Sequence, residues 1–310
     1  MLSRAAASLF WLGRHVERAD FTARLMDAAY RFEALPQHDP NSGWKSAVRS
    51  SGSGPLFDER GLTANHDTVS EFLALDAGNP SSIRSCIDKA RFDARIVRAS
   101  LTSEAFETLN QCWMEMQDWL RRGESVDMQT LIERIKLEVR NFEGAIWRTL
   151  MRGENFWFIR LGTVIERADN TARLLDVKYH TLLPEGEDVG GALDQAQWTA
   201  VLRSVSAVTA YRHAYRQTLK PWLIADLLIL REDIPRSLAH CMDVASEYMQ
   251  DLRARHGRVG PADRLARKLS DRLGHLDIDT IYKDGLHEFL QTFIAENNRL
   301  SREIGRQFSF

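Results

Sequence analysis

Two short stretches of this chain place acids and bases at helical spacing. Glu17, Asp20, Arg24 and Asp27 recur at intervals of three and four residues, and Glu166, Asp169, Arg173 and Asp176 repeat the same order. Each glutamate is followed by an arginine, Arg18 and Arg167. Two carboxylates on one helical face could act as general acid and base, or hold a cation. The metal reading rests on the Glu-x-x-Asp pairs Glu17/Asp20 and Glu166/Asp169. Di-iron bundles also require Glu-x-x-His, and that spacing is absent from this sequence. The plainer reading is a buried ion-pair network that fixes helix register.

At about 100° per residue, Gly13, Glu17, Asp20, Arg24 and Asp27 fall on one narrow line. An apolar stripe of Leu9, Leu12, Val16, Ala19, Ala23, Met26 and Tyr30 lies on one side of it. Phe10, Phe21 and Leu25 lie on the other, with Asn170 standing where the second stretch would match Phe21. A charged line flanked by apolar surface is expected to be at least partly buried, and buried charge is costly unless paired. Spacing offers Asp20–Arg24 and Arg24–Asp27, repeated as Asp169–Arg173 and Arg173–Asp176. That leaves Glu17 and Glu166 in excess. Their counter-charge must come from Arg14 or Arg18 turned inward, from Arg49 or Arg203, from the other stretch, or from a metal. Gly13 and Gly162 sit one turn before the glutamates, where a mid-helix glycine costs stability. Close approach of another helix or of a ligand would account for them.

The elements that carry these lines are duplicated. LGRHVERADFTARLMDAAY at 12–30 and LGTVIERADNTARLLDVKY at 161–179 align without a gap. The match continues from Trp44 and Arg49 to Trp198 and Arg203, and from NPSSIRSCID to IPRSLAHCMD, pairing Cys86 with Cys241. Self-similarity of this kind marks an internal repeat. The expected fold is all-α: two tandem copies of a helical-bundle unit, residues 1–150 and 151–310, each with five or six helices, packed either as two domains or as one continuous domain. Pro80 and Pro235 are placed at helix starts, Thr102 or Ser103 caps the next helix, and 127–150 forms another long one. SSGSGP at 50–55 and LPEGEDVGG at 183–191 read as the most flexible stretches.

Composition narrows the function further. With 41 basic and 43 acidic residues, the net charge is −2, which argues against a nucleic-acid binder. Three widely spaced cysteines, Cys86, Cys112 and Cys241, suit a reducing compartment better than a disulfide framework. The apolar start, Arg4 followed by AAASLFWLG, resembles a short signal peptide, but the repeat marks it as a domain helix. No apolar run reaches the roughly 20 residues of a membrane span. A cytoplasmic protein is expected. Phosphate-loop, dinucleotide and zinc-protease motifs are absent from the sequence, and so is a nucleophile elbow. Cys86, Cys241, Trp44 and Trp198 read as core residues, and RARHGR at 253–258 as a solvated helix end.

The paired ERAD-x-TARL-x-D signatures, the start MLSRAAASLFWLGRHVERADFTARLMD and the NPSSI turn resemble the bacterial alpha-E family over essentially the whole chain. The resemblance identifies Glu17–Arg18 and Glu166–Arg167 with that family's Glu-Arg motif. It implies association with a circularly permuted ATP-grasp protein, and with a transglutaminase-like protease, in an ATP-dependent peptide-ligation or peptide-modification system. No cofactor is expected on this chain, and ligase chemistry would belong to the partner. Two readings follow: a non-catalytic helical subunit, or an enzyme or metal- or small-molecule-binding protein using the acidic lines around Glu17 and Glu166.

Overall fold

The computed structural model describes residues 2–34, 41–122, 127–180, 190–257 and 259–310. Among them are fifteen α-helices, one short 3-10 helix and no strands. The first seven helices are α1 (Ser3–Glu33), α2 (Ser42–Ser50), α3 (Gly54–Glu59), α4 (His66–Ala74), α5 (Ile83–Ile96), α6 (Ser103–Arg122) and α7 (Met128–Thr149). The other eight are α8 (Glu154–His180), α9 (Ala192–Ser204), α10 (Val208–Tyr215), α11 (Pro221–Ile229), α12 (Leu238–His256), α13 (Pro261–Gly274), α14 (Ile278–Asp284) and α15 (Leu286–Gln307). Five or six per copy is therefore too few, because short helices such as α3 and α10 carry too few turns to show a period.

The long helices α1 and α8 form the centre. A helix buried on every face belongs inside a structure, and α8 is buried without interruption from Phe158 to Ala172, as α1 is from Leu12 to Ala23 apart from Arg18. They cross where both carry glycine. A Cβ on Gly13 would stand 2.1 Å from the carbonyl oxygen of Ile159, and one on Gly162 would stand 1.9 Å from that of Phe10. No side chain fits at such distances, so the helix reading of these glycines holds. α5 and α7 pack on α1, while α12 and α15 pack on α8. α6 covers α5 and α7; α13 covers α12 and α15. α2 reaches across to α8, and α9 to α1.

Local caps follow elementary rules. Thr102 Oγ1 accepts from Ala105 N at the start of α6, and Asp127 caps α7 through Gln129 N. Pro80 and Pro235 do not begin helices: α5 and α12 start three residues later, behind the capping hydroxyls of Ser82 and Ser237. A serine oxygen can accept an orphan helix N–H, so the cap, not the proline, sets the boundary. SSGSGP at 50–55 is likewise structured, running from the end of α2 through a turn at Gly52 into α3, with Ser53 buried and donating to Asn79 Oδ1. Of LPEGEDVGG, residues 183–189 lie outside the described residues. The helix end at 253–257 is exposed and closed by Gly257 in the left-handed region; Arg258 lies outside the described residues. Trp44, Trp198, Cys86 and Cys241 are all buried core residues.

Candidate functional site

Just past the glycine crossing, the two Glu-Arg dipeptides meet and exchange partners. Arg18 Nε donates to Glu166 Oε1 at 2.5 Å, and Arg167 Nη2 donates to Glu17 Oε2 at 2.6 Å. Each glutamate receives a second guanidinium from a different source. Arg14 Nε donates to Glu166 Oε2 at 2.8 Å from the same helix as Arg18. Arg236 Nη1 donates to Glu17 Oε1 at 2.5 Å from the turn before α12. Both glutamates are 1% exposed, so each carboxylate is closed off by arginines.

The rest of each line is paired as well. Asp20 accepts from Arg24 Nε at 2.6 Å and from Arg236 Nη2 at 2.8 Å. Asp169 accepts from Arg173 Nε at 2.7 Å. Arg167 also donates to Glu143 of α7 at 2.9 Å. The expected Arg24–Asp27 and Arg173–Asp176 pairs are not what the fold uses. Asp27 takes Arg31 Nε at 3.0 Å and Lys136 Nζ at 3.1 Å, while Asp176 takes His287 and Gln291 of α15. Arg24 points instead toward Ser206 Oγ, 2.6 Å away, beyond the end of α9. The guanidinium of Arg173 lies against Gly52, beyond the end of α2. The line is thus buried at Gly13, Glu17 and Asp20 and opens toward solvent at Arg24 and Asp27.

Of the counter-charges open to the glutamates, Arg14, Arg18 and the other stretch are used. Arg49 and Arg203 are not: Arg49 forms an exposed pair with Asp58, and Arg203 is exposed. Arg236 was invisible to the repeat because Ser81 holds the matching place. The only signal for it was the excess of carboxylate over arginine on each line.

Electrostatics fix the protonation state. Burial pushes the Glu17 carboxyl up, but Arg167 and Arg236 outweigh it and hold the group down at about 2. Glu166 behaves alike: burial raises it, and Arg18 with Arg14 brings it to about 2. Burial lowers the Arg18 guanidinium, and Glu166 more than restores it, raising it above its ordinary value. A general base must exchange a proton near working pH, and these carboxylates stay ionised and enclosed. Glu17 and Glu166 are therefore not placed to exchange protons with solvent. No group of three metal-ligating side chains occurs among the described residues. Lone His15, buried on α1, faces Asp93 Oδ2 at 3.3 Å; burial lowers its pKa against that carboxylate.

These pairs tie α1 to α8 and to the turn before α12. Removing one partner of a buried ion pair costs about 3–5 kcal/mol, and here four guanidinium groups surround two glutamates in a glycine-permitted crossing.

Comparison with known proteins finds one family over nearly the whole chain. Residues 1–308 match the model of the Alpha-E family, described as a predicted alpha-helical domain with a conserved ER motif. Uncharacterised proteins of Mycobacterium bovis and of two strains of Mycobacterium tuberculosis are each 22% identical over 97% of this chain. The match covers 36% of each relative, so the chain spans about a third of their length. No solved structure matches. No helix among the described residues is long and apolar enough to cross a membrane.

Proposed function

The chain belongs to the Alpha-E family, and we propose on that footing that it is a non-catalytic helical subunit of an ATP-grasp-dependent peptide-ligation or peptide-modification system. One observation carries the reading. The residues best suited to chemistry, Glu17 and Glu166 with their arginines, are spent on each other inside the protein. A motif so enclosed builds a scaffold, and the reaction then belongs to a partner. The length of the mycobacterial relatives outside the matched part fits a unit that works beside another. A circularly permuted ATP-grasp protein is the expected partner, a transglutaminase-like protease a further one, and the cytoplasm the place of work.

The scaffold itself reads as a tandem duplication that folds as one unit. Equivalent contacts support this. Thr22 Oγ1 donates to the Ser81 carbonyl and Thr171 Oγ1 to that of Arg236. Cys86 Sγ faces the Pro80 carbonyl and Cys241 Sγ that of Pro235, both at 3.9 Å.

The test is co-purification of the tagged chain with the ATP-grasp protein of its own cell, followed by sedimentation of the mixed pure proteins. One complex with ATP-dependent peptide modification is expected. Two independently sedimenting species at micromolar concentration would refute the subunit reading.

A further inference from the structure

The arginines around Glu17 and Glu166 are matched by carboxylates, but several basic residues on the outer face of the second half are not. Arg253 near the end of α12 and Arg264 and Arg267 of α13 are exposed and line one groove of about 650 Å³, floored in part by Met249 and Ala254. Among the described residues none of these three arginine side chains forms an ion pair. Arg264 and Arg267 also border an adjoining trough with Lys268, Arg272 and His275. Lys268 is exposed and likewise unpaired among the described residues, while Arg272 is held by Glu296 at 2.7 Å. The two troughs thus share a ridge, and together they follow α13.

Three acids stand among these cations. Asp263 is committed to its own helix start, accepting from Gly260 N and Gln307 Nε2. Asp251 is half-buried and Asp271 exposed. The balance is modestly positive, with apolar side chains in the floor. The corresponding outer helix of the first half, α6, has the opposite balance, with Glu104, Glu107, Glu115 and Asp118 against Arg121 and Arg122. A repeat that kept its core and reversed the charge of one outer face has a surface distinct from the common scaffold.

We propose that this groove along α13 binds an acidic peptide segment in extended form. Carboxylate side chains would pair with Arg253, Arg264, Arg267 and Lys268, and the apolar floor would take the residues between them. Arginine suits carboxylates because its planar fork donates two parallel hydrogen bonds. α13 has 14 residues and so is about 21 Å long, which an extended peptide spans with about six or seven residues. Nucleic acid fits less well. Its single strands are held by aromatic stacking along a basic track, and the lining of both troughs contains no Phe, Tyr or Trp, its one ring being His275. The proposal goes beyond the subunit reading and does not depend on it, since binding is measured on the chain alone.

The experiment is fluorescence anisotropy of the full chain with a labelled glutamate-rich peptide of about eight residues, beside a glutamine peptide and a single-stranded oligonucleotide of equal length. Saturable binding of the glutamate peptide is expected. It should weaken by about tenfold or more, or about 1.4 kcal/mol, in Arg264→Gln/Arg267→Gln. A control, Lys283→Gln/Arg302→Gln, removes the same charge from exposed positions off the groove and should bind as the parent does. Circular dichroism of both variants establishes that they are folded. Absence of saturable peptide binding, equal loss in the control, or tighter binding of the oligonucleotide or the glutamine peptide would each overturn the proposal.

Discussion

Arg18 and Glu166 come from different Glu-Arg dipeptides, 148 residues apart, yet they form the shortest ion pair between α1 and α8. Arg167 and Glu17 mirror them across the glycine crossing. Neither dipeptide is complete by itself; each glutamate is neutralised by the arginine of the other.

The first prediction concerns that exchange. Glu166→Gln would leave Arg14 and Arg18 facing a neutral amide in a buried site. A loss of about 3–5 kcal/mol is expected, as for other broken buried pairs, read as a lowered urea midpoint. Arg236→Ala should cost less than Glu17→Gln, because Glu17 keeps Arg167. Midpoints unchanged by Glu166→Gln would show that the pairs contribute nothing to stability.

A second prediction separates three glycines by their surroundings. Gly13→Ala and Gly162→Ala each drive a methyl group into a helix carbonyl and should destabilise by about 1–3 kcal/mol or more. Gly144, inside α7, has nothing within 4 Å of an added Cβ. Gly144→Ala should therefore raise stability by roughly 0.5–1 kcal/mol. Thermal midpoints of the three variants give the comparison, and a neutral Gly13→Ala would mean the helices can part without cost.

Acid provides a third. Glu17 and Glu166 are held at about 2, below their ordinary value of 4.5. Between these values the unfolded chain binds more protons than the folded one, so stability rises with pH across that window. The contribution is fully present above about pH 5 and is lost as pH falls through 4.5 toward 2, at roughly a few kcal/mol for each group. Denaturant midpoints recorded from pH 6 to pH 2 should show this slope, and Glu17→Gln should flatten it. A parallel curve for the variant would place the acid response elsewhere.

A fourth concerns the cysteines. Cys86, Cys112 and Cys241 are buried, and burial pushes each thiol up to about 12. Thiolate is the reactive form, so at pH 8 the folded protein should resist alkylation while the urea-unfolded chain takes up three equivalents. Rapid labelling of the native protein would mean that the core opens easily.

Much of the centre was readable from residues alone. The apolar stripe from Leu9 to Met26, the two glycines and the i,i+4 pairs Asp20–Arg24 and Asp169–Arg173 needed only periodicity and spacing. Which cation would neutralise each glutamate was not readable, because the answer lies 150 residues away for Arg167 and 219 for Arg236. In the alignment of the two similar stretches Ser81 stands opposite Arg236, so the self-similarity pointed away from it. Asp27 misled for a local reason: spacing offered Arg24, but the neighbouring helix α7 supplies Lys136. Arg31, one turn onward, takes the other oxygen. Helix boundaries at Pro80 and Pro235 were shifted by three residues because a serine cap outranks a proline in fixing the first turn.

The reciprocal exchange between α1 and α8 also dictates an order of events during synthesis. A nascent chain emerging as far as residue 150 holds Glu17 and Asp20 beside apolar surface, without Arg167 or Arg236 to meet them. The first half must therefore wait, its central helix exposed, until the 86 further residues that end at Arg236 have left the ribosome. A fragment of residues 1–150 made alone should stay loosely packed and prone to aggregate, and adding residues 151–310 in trans should rescue it. Native-like, cooperative melting of that fragment by itself would show that the halves mature independently.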